Sequence, residues 1–420
     1  MTPTTVIHPA GSPASGSLEP GSLRTVVHIN VRLERGGAAK IARNLSTQLV
    51  GRGYRGRLVY GYGPRAGPSP DEDHTQALRL TSRARAGTNA VVHRAIGREV
   101  IRPGATPRRQ LAGLAAASDL IHLHALHSFM GPARPLVAEL RRSGRPIVWT
   151  LHDSWAMTGR CAIPGTCQRW AVGCGSCPDR SAYPGAALDL TKSGARARRS
   201  WIGELHDVRF VAPSENIAAR FRTVYPALSV QCIHNAADPE FVRTSETVTP
   251  LAARAGYAVV AEDLSDPQKA PPRLLAALVA AGVPLVLVGR RSAYRGPLVR
   301  NLGPITDRGE LAEVIGSCQA LLFLSQIDVF SLTVLEALVG GVPVLALDSE
   351  GAREALSPLG IRTLSEDELL AATRAGRPWA AHPHAEPGLL ASQAAGRYAT
   401  AAMAGRYADL YDSLVGQGAA

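Results

Sequence analysis

The segment DVFSLTVLEAL, Asp328 to Leu338, carries two carboxylates, Asp328 and Glu336, with seven mostly apolar residues between them. That spacing does not stack the two acids on one helical face. It suits two acids touching different parts of one long ligand, with Asp328 in a loop and Glu336 about one turn inside the helix that follows. The start of that helix, at Ser331 and Leu332, offers unpaired backbone N–H groups and the positive end of the helix dipole, a seat for a diphosphate. Carboxylates accept hydrogen bonds well from vicinal hydroxyls. A nucleotide diphosphate sugar has these parts in this order: ribose, diphosphate, sugar. Taken alone, the segment serves equally as a helix-start acid followed by a solvated helix glutamate.

Three other stretches carry chemistry. ERGGAAKIARNL (Glu34–Leu45) puts Gly36 and Gly37 before a helix, where backbone N–H groups can approach a phosphate closely. DLIHLHALHS (Asp119–Ser128) ends a strand in His-x-His, where His122 reads as a satisfied core histidine and His124, nearer the strand end, is expected to point to the cleft. HDSWAMTGRCAIPGTCQRWAVGCGSCPD (His152–Asp179) also follows a strand. Its Asp153 is placed to orient an acceptor hydroxyl or to cap the loop.

Four of the six cysteines fall within seventeen residues of that last stretch: Cys161, Cys167, Cys174 and Cys177. Four thiolates can close a tetrahedral structural zinc site. They can also form disulfides, which a cytoplasmic chain disfavours, or stay as buried thiols. The loop has little apolar material for a core of its own, and a metal would offset its ordering cost.

The elements that must position these residues are legible as strand-like apolar runs alternating with helix-length segments. TVVHINV (Thr25–Val31), RLVYGYG (Arg57–Gly63), LIHLHAL (Leu120–Leu126), PIVWTLH (Pro146–His152), VRFVAPS (Val208–Ser214) and VQCIHNA (Val230–Ala236) form a first series. YAVVAED (Tyr257–Asp263), PLVLVGR (Pro284–Arg290), ALLFLS (Ala320–Ser325) and VPVLALD (Val342–Asp348) form a second. Such alternation implies α/β architecture with parallel sheets covered on both faces. The expectation is two doubly wound, Rossmann-like domains facing across a cleft. Residues 1–22 read as a disordered leader without signal-peptide character, 23–240 as the first domain with an insert at 153–180, and 241–386 as the second. Residues 387–420 read as a final helix, roughly Gly388 to Val415, packing back toward the first domain. Ligands of such sheets bind beyond the carboxyl ends of the strands.

The 420 residues allow two cores. No apolar run approaches the roughly 20 residues of a bilayer span. The net charge of +12 is almost all arginine, with lysine only at Lys40, Lys192 and Lys269. The arginines are scattered and no nucleic-acid-binding motif accompanies them, so an anionic small-molecule site is preferred to nucleic acid. The expected setting is cytoplasmic, with peripheral membrane contact left open.

DVFSLTVLEALVGGVPVLALDSEGAREAL resembles the signature of the GT-B retaining glycosyltransferases: an acid, seven residues, Glu, a small-residue turn, a Pro-containing strand and a Gly-containing loop ending in Glu. Asp328 stands where that signature has Glu. ERGGAAKIARNL resembles the family's glycine loop, and DLIHLHALHS its His-x-His strand end. CIHNAADPEF (Cys232–Phe241) resembles its domain junction, and AEDLSDPQKAPPRLLAAL (Ala261–Leu278) the stretch with its diphosphate-binding basic pair. HD-x-W-x-x-T-G and GCGxCP resemble the Cys/Trp-rich insert of the colanic-acid-type subgroup. The resemblance implies that Glu336 binds the nucleotide ribose, the acid at 328 contacts the donor sugar, Lys269 binds the diphosphate and His124 meets the reacting centre. Where the family commonly has the arginine partner of that lysine, this chain has Asp263.

The implied activity is transfer of a sugar from a nucleotide diphosphate sugar, with retention, to an acceptor hydroxyl on a sugar, a lipid-linked intermediate or a small molecule, in polysaccharide or glycosylated natural-product biosynthesis. No catalytic metal is expected, because Lys269, the glycine loop and the helix end take the diphosphate charge. The alternatives are sugar-nucleotide epimerisation and a noncatalytic partner subunit that only binds sugar nucleotide.

Overall fold

The computed structural model describes residues 23–64, 77–243, 247–375 and 386–416; the expected leader lies outside them. The first sheet contains β1 (Arg24–Asn30), β2 (Tyr54–Tyr60), β3 (Leu78–Arg79), β4 (Leu120–Leu123), β5 (Ile147–Thr150), β6 (Val208–Ala212) and β7 (Val230–Cys232). All neighbouring strands run parallel, in the order β3-β2-β1-β4-β5-β6-β7. The second contains β8 (Tyr257–Asp263), β9 (Leu285–Arg290), β10 (Val299–Gly303), β11 (Ala320–Phe323) and β12 (Val344–Ala346), also parallel, in the order β10-β9-β8-β11-β12.

Each sheet reverses direction of winding once, at β1/β4 and at β8/β11. In an open parallel sheet such a reversal leaves a crevice beyond the strand ends. Gly36 and Gly37 follow β1 and His124 follows β4. Asp263 ends β8 and Asp328 follows β11. Thus the candidate residues of both domains flank the two reversal points.

The central strands are mostly apolar because both faces are covered, with His28 and His122 as buried polar exceptions. Val27, Ile29, Ile121 and Leu123 join one core of the first domain. Val26, Leu120, Val148 and Val211 face the other way and pack with Ile41 and Leu45. This second core is completed by Met403, Tyr407 and Tyr411 from the end of the chain.

That end is two helices rather than the single helix expected, Pro387–Tyr398 and Thr400–Val415. Ala399 between them is extended, with φ −69° and ψ 146°. There the Ala237 N–H donates to the Tyr398 carbonyl (2.8 Å) and the Thr400 hydroxyl to the Ala237 carbonyl (2.5 Å). The chain crosses between domains at this point, so one straight helix could not fill both. Leu390, Ala394 and Tyr398 are buried in the second domain, and the last helix in the first. Strands β3 and β10 were not anticipated. They are edge strands, and the partly exposed VRNLG of β10 has no apolar run to mark it.

Candidate active site

On the second-domain side, the helix Leu332–Val339 begins at Ser331, whose side chain makes no capping hydrogen bond, and its first turn contains no acid. Its leading N–H groups are therefore left for a ligand. Glu336, in its second turn, is 2 % exposed and ion-paired with Arg308 through Oε1. Its Oε2 has no protein partner among the described residues. Arg308 lies over the Phe241 ring at 4.9 Å and 3.7 Å from Asp238. Neither Arg308 nor Asp238 was singled out from the sequence, since a lone Arg after an Asp N-cap reads as surface.

Asp328 lies in the loop between β11 and this helix. Lys269 Nζ donates to the Ile327 carbonyl at 2.7 Å and sits 3.3 Å from Asp328 Oδ2. Gly351 packs against this loop so closely that a Cβ there would fall 2.8 Å from the Asp328 carbonyl oxygen. Asp263, the departure from the family's basic pair, is ion-paired with Arg291 from the end of β9 and accepts hydrogen bonds from Ser265. Its charge is therefore compensated within the second domain.

The first domain meets this face through its glycine loop. Gly36 has φ +90°, which favours glycine, and caps the helix Gly37–Gln48. A Cβ on Gly37 would lie 3.6 Å from Leu332 Cδ1, so the loop abuts the start of the second-domain helix. Arg35 reaches Glu262 at 3.3 Å. Lys40, another residue that sequence reading left aside, is half-buried. Burial pushes its ammonium down, Glu336 pulls it back up, Arg308 opposes and Asp238 supports.

The histidines form a row. His122 is a satisfied core residue, as expected: Nδ1 meets the Tyr411 hydroxyl at 2.6 Å and Nε2 the Thr150 hydroxyl at 2.7 Å. His124 is buried rather than presented to the cleft. Its Nε2 meets His28 Nδ1 at 3.2 Å and its Nδ1 meets His152 Nε2 at 2.9 Å. The half-buried member is His152, one residue before the Asp153 chosen from sequence. Burial depresses all three rings, His28 to about 3, His152 to about 4 and His124 well below the usual range, so the row is neutral. His28 Nε2 is buried without a partner. An unpaired lone pair there costs less than an unpaired N–H, which assigns the protons to each Nδ1 and leaves His152 with a free Nδ1–H. Every nitrogen of His122 and His124 is engaged, so the His28–His122–His124 group, although its nitrogens lie within 4.8 Å, does not offer a ready metal site.

Asp153 accepts from the Trp155 N–H at 2.8 Å and pairs with His127 Nε2 at 2.6 Å. Burial would raise its carboxyl, but His127 and the Trp155 N–H outweigh that and hold it below the ordinary range. His124, His127, His152, Asp153 and Trp155 line one small pocket at the ends of β4 and β5.

The insert has a scaffold of its own. The buried Arg160 donates to the carbonyls of Ala182 (2.5 Å), Pro184 and Asp179 (3.0 Å). Arg198 donates to Trp155 (3.0 Å) and Thr158 and covers the Trp155 ring at 3.9 Å. Arg199 donates to Trp170 (2.6 Å) and Ala171 (3.0 Å). Cys161, Cys167, Cys174 and Cys177 are free and half-buried. Among the described residues, they are not part of any group of three ligand atoms mutually within 4.8 Å. Burial raises the Cys161 and Cys174 thiols, Cys161 to about 11.

Residues 35–241 match the family model for glycosyltransferase family 4. Over 366 residues, covering 84% of this chain and 90% of the relative, the sequence is 31% identical to an Escherichia coli K12 protein named as the colanic acid biosynthesis glycosyl transferase WcaC. The chain belongs to the group 1 glycosyltransferases. Among solved structures, an Anabaena protein, Alr3699/HepE, in complex with UDP-glucose is similar with a TM-score of 0.63 at 15% identity, over 93% of this chain and all of that one. Sucrose-phosphate synthase from Thermosynechococcus elongatus is similar at 0.62 and 16%, over 94% of this chain and all of that one. At such identity these neighbours speak for the fold, which is GT-B. This glycosyltransferase has no helix among its described residues long and apolar enough to cross a membrane.

Proposed function

We propose that the enzyme moves a sugar from a nucleotide diphosphate donor to an acceptor hydroxyl with retention of configuration. The observation that carries this is Glu336: a buried carboxylate with one oxygen held by Arg308 and the other free, one turn inside an uncapped helix that has no acid in its first turn. Glu336 takes the ribose hydroxyls. The N–H groups after Ser331, at Leu332 and beyond, take the diphosphate with the Gly36–Gly37 loop and Lys269. Asp328 takes the hydroxyls of the donor sugar. The solved structure of a protein of this fold with UDP-glucose supports a donor of this class.

In the reaction the bond from the anomeric carbon to the diphosphate oxygen breaks. The acceptor oxygen bonds to the same face, and the acceptor proton passes to the departing diphosphate. The protein's part is to position both substrates and to meet the growing phosphate charge with Lys269 and the helix end. His152 donates its Nδ1–H toward the reacting centre, and His124 and His28 fix its tautomer from behind. Asp153, locked by His127, shapes the acceptor pocket. The name of the colanic-acid relative favours an acceptor in polysaccharide assembly.

A thermal-shift panel of sugar nucleotides and free nucleoside diphosphates tests the reading. A donor at 100 times its dissociation constant adds about 2.7 kcal/mol to stability. The expected result is a raised melting temperature with one nucleotide class, and slow hydrolysis of its sugar nucleotide without acceptor. If no member raises the melting temperature, the donor class is wrong.

A further inference from the structure

We propose that Cys232, His234 and Glu354 form a zinc-type metal site that joins the two domains. Their ligand atoms lie within 4.8 Å of one another, and all three side chains are half-buried, so an ion could reach them from solvent. Cys232 ends β7, and His234 follows two residues later on the first-domain side of the junction. Glu354 comes from the second-domain helix Glu350–Leu356. A thiol, an imidazole and a carboxylate are the donor types zinc takes, and three protein ligands leave a fourth position for water.

Two further features favour a cation here. The carboxylates of Glu215 and Glu354 both lie beside the Cys232 thiol. The site is also held in shape from outside. Glu354 accepts from the N–H groups of Glu215 (2.6 Å) and Asn216 (3.3 Å) and from Asn216 Nδ2 (2.8 Å). The His234 ring stacks on Phe330 with centroids 4.6 Å apart and planes 6° apart. His234 Nε2 already faces Glu354 Oε1 at 3.0 Å, the contact an ion would replace. On binding, the thiol releases one proton to solvent and His234 presents a lone pair. Phe330 lies in the loop that carries Asp328, so an ion at this site restrains both domain opening and that loop. The site stands independently of the donor reading above.

The test uses the full chain, stripped of metal by chelation and desalted, with zinc chloride as the probe. Alkylation of Cys232 by iodoacetamide is followed by peptide mass spectrometry, which separates it from the insert cysteines. Saturating zinc is expected to slow Cys232 modification at least tenfold. His234→Phe keeps the stacking on Phe330, and Glu354→Gln keeps an oxygen for the helix cap; each is expected to raise the zinc concentration needed for protection at least tenfold. Unchanged Cys232 alkylation at saturating zinc overturns the proposal. So does protection that persists at the same zinc concentration in both variants, because the thiol would then bind zinc without its partners.

Discussion

Lys269 and Asp328 are paired across the loop that precedes the helix Leu332–Val339, with Nζ 3.3 Å from Oδ2. In the proposed reading Lys269 serves the diphosphate and Asp328 the sugar, and each restrains the other until donor arrives. Lys269→Ala is expected to weaken donor binding by about 1.5–3 kcal/mol, the worth of a charge-assisted hydrogen bond, and also to lower turnover, since charge grows on the diphosphate in the transition state. Asp328→Asn should weaken binding of the sugar nucleotide while sparing the free nucleoside diphosphate. Calorimetry with both ligands distinguishes them; an Asp328 variant that loses both equally would move that acid away from the sugar.

Glu336→Gln should cost about 1.5–3 kcal/mol in binding of donor and of free nucleoside diphosphate alike. It also leaves the half-buried Arg308 guanidinium with only Asp238, at 3.7 Å, as its counter-charge. Breaking a buried pair costs about 3–5 kcal/mol, so the melting temperature should fall too. Arg308→Met with Glu336→Gln should recover part of that stability without recovering nucleotide affinity. Unchanged nucleotide affinity in Glu336→Gln, measured by calorimetry, would remove the ribose assignment.

The histidine row divides function from packing. His152→Ala should cut turnover strongly with donor affinity nearly intact. His124→Ala should do the same to a smaller degree, because it acts by orienting His152. Wild-type turnover in both variants would make the row purely structural.

The same row makes stability fall in mild acid. A histidine depressed in the folded state contributes stability that is fully present above its unfolded pKa, about 6.5. That contribution is lost as pH falls toward the folded value. For His28, at about 3, and His152, at about 4, the window is pH 6.5 down to those values. Each should cost about 2 kcal/mol between pH 7 and pH 5. Denaturant melts at the two pH values measure it, and His28→Phe should remove one such increment; an unaltered pH dependence in that variant would contradict the buried neutral assignment.

The insert tests whether arginine or metal holds a loop. With Arg160, Arg198 and Arg199 pinned to carbonyls, chelation of a Cys232→Ser variant, which lacks the interdomain site, should leave the melting temperature nearly unchanged, whereas Arg198→Met should lower it, by orphaning carbonyls at about 1–3 kcal/mol each. Release of one zinc per chain from that Cys232→Ser variant, with unfolding of the first domain, would instead assign the scaffold to the four thiols.

The sequence by itself determined the parts of this enzyme that are local. Most strands of the two sheets are buried on both faces and so are largely apolar, which made ten of the twelve legible, and with them the two parallel sheets. The Asp328–Glu336 spacing across a strand-to-helix loop was equally local, as was the positive φ that Gly36 supplies. What only tertiary structure decided is which residues meet across long separations. That His124 is covered while His152 is half-buried depends on how the ends of β4 and β5 stack. Arg308 is separated from Glu336 by β11, and the two meet only because neighbouring helices pack on one face of the sheet. The break at Ala399 follows from one chain end having to fill two cores, and no propensity along that segment announces it. Glu354, the glutamate that closes the signature's Gly-containing loop, finds its partners Glu215, Asn216, Cys232 and His234 only through the meeting of the two domains.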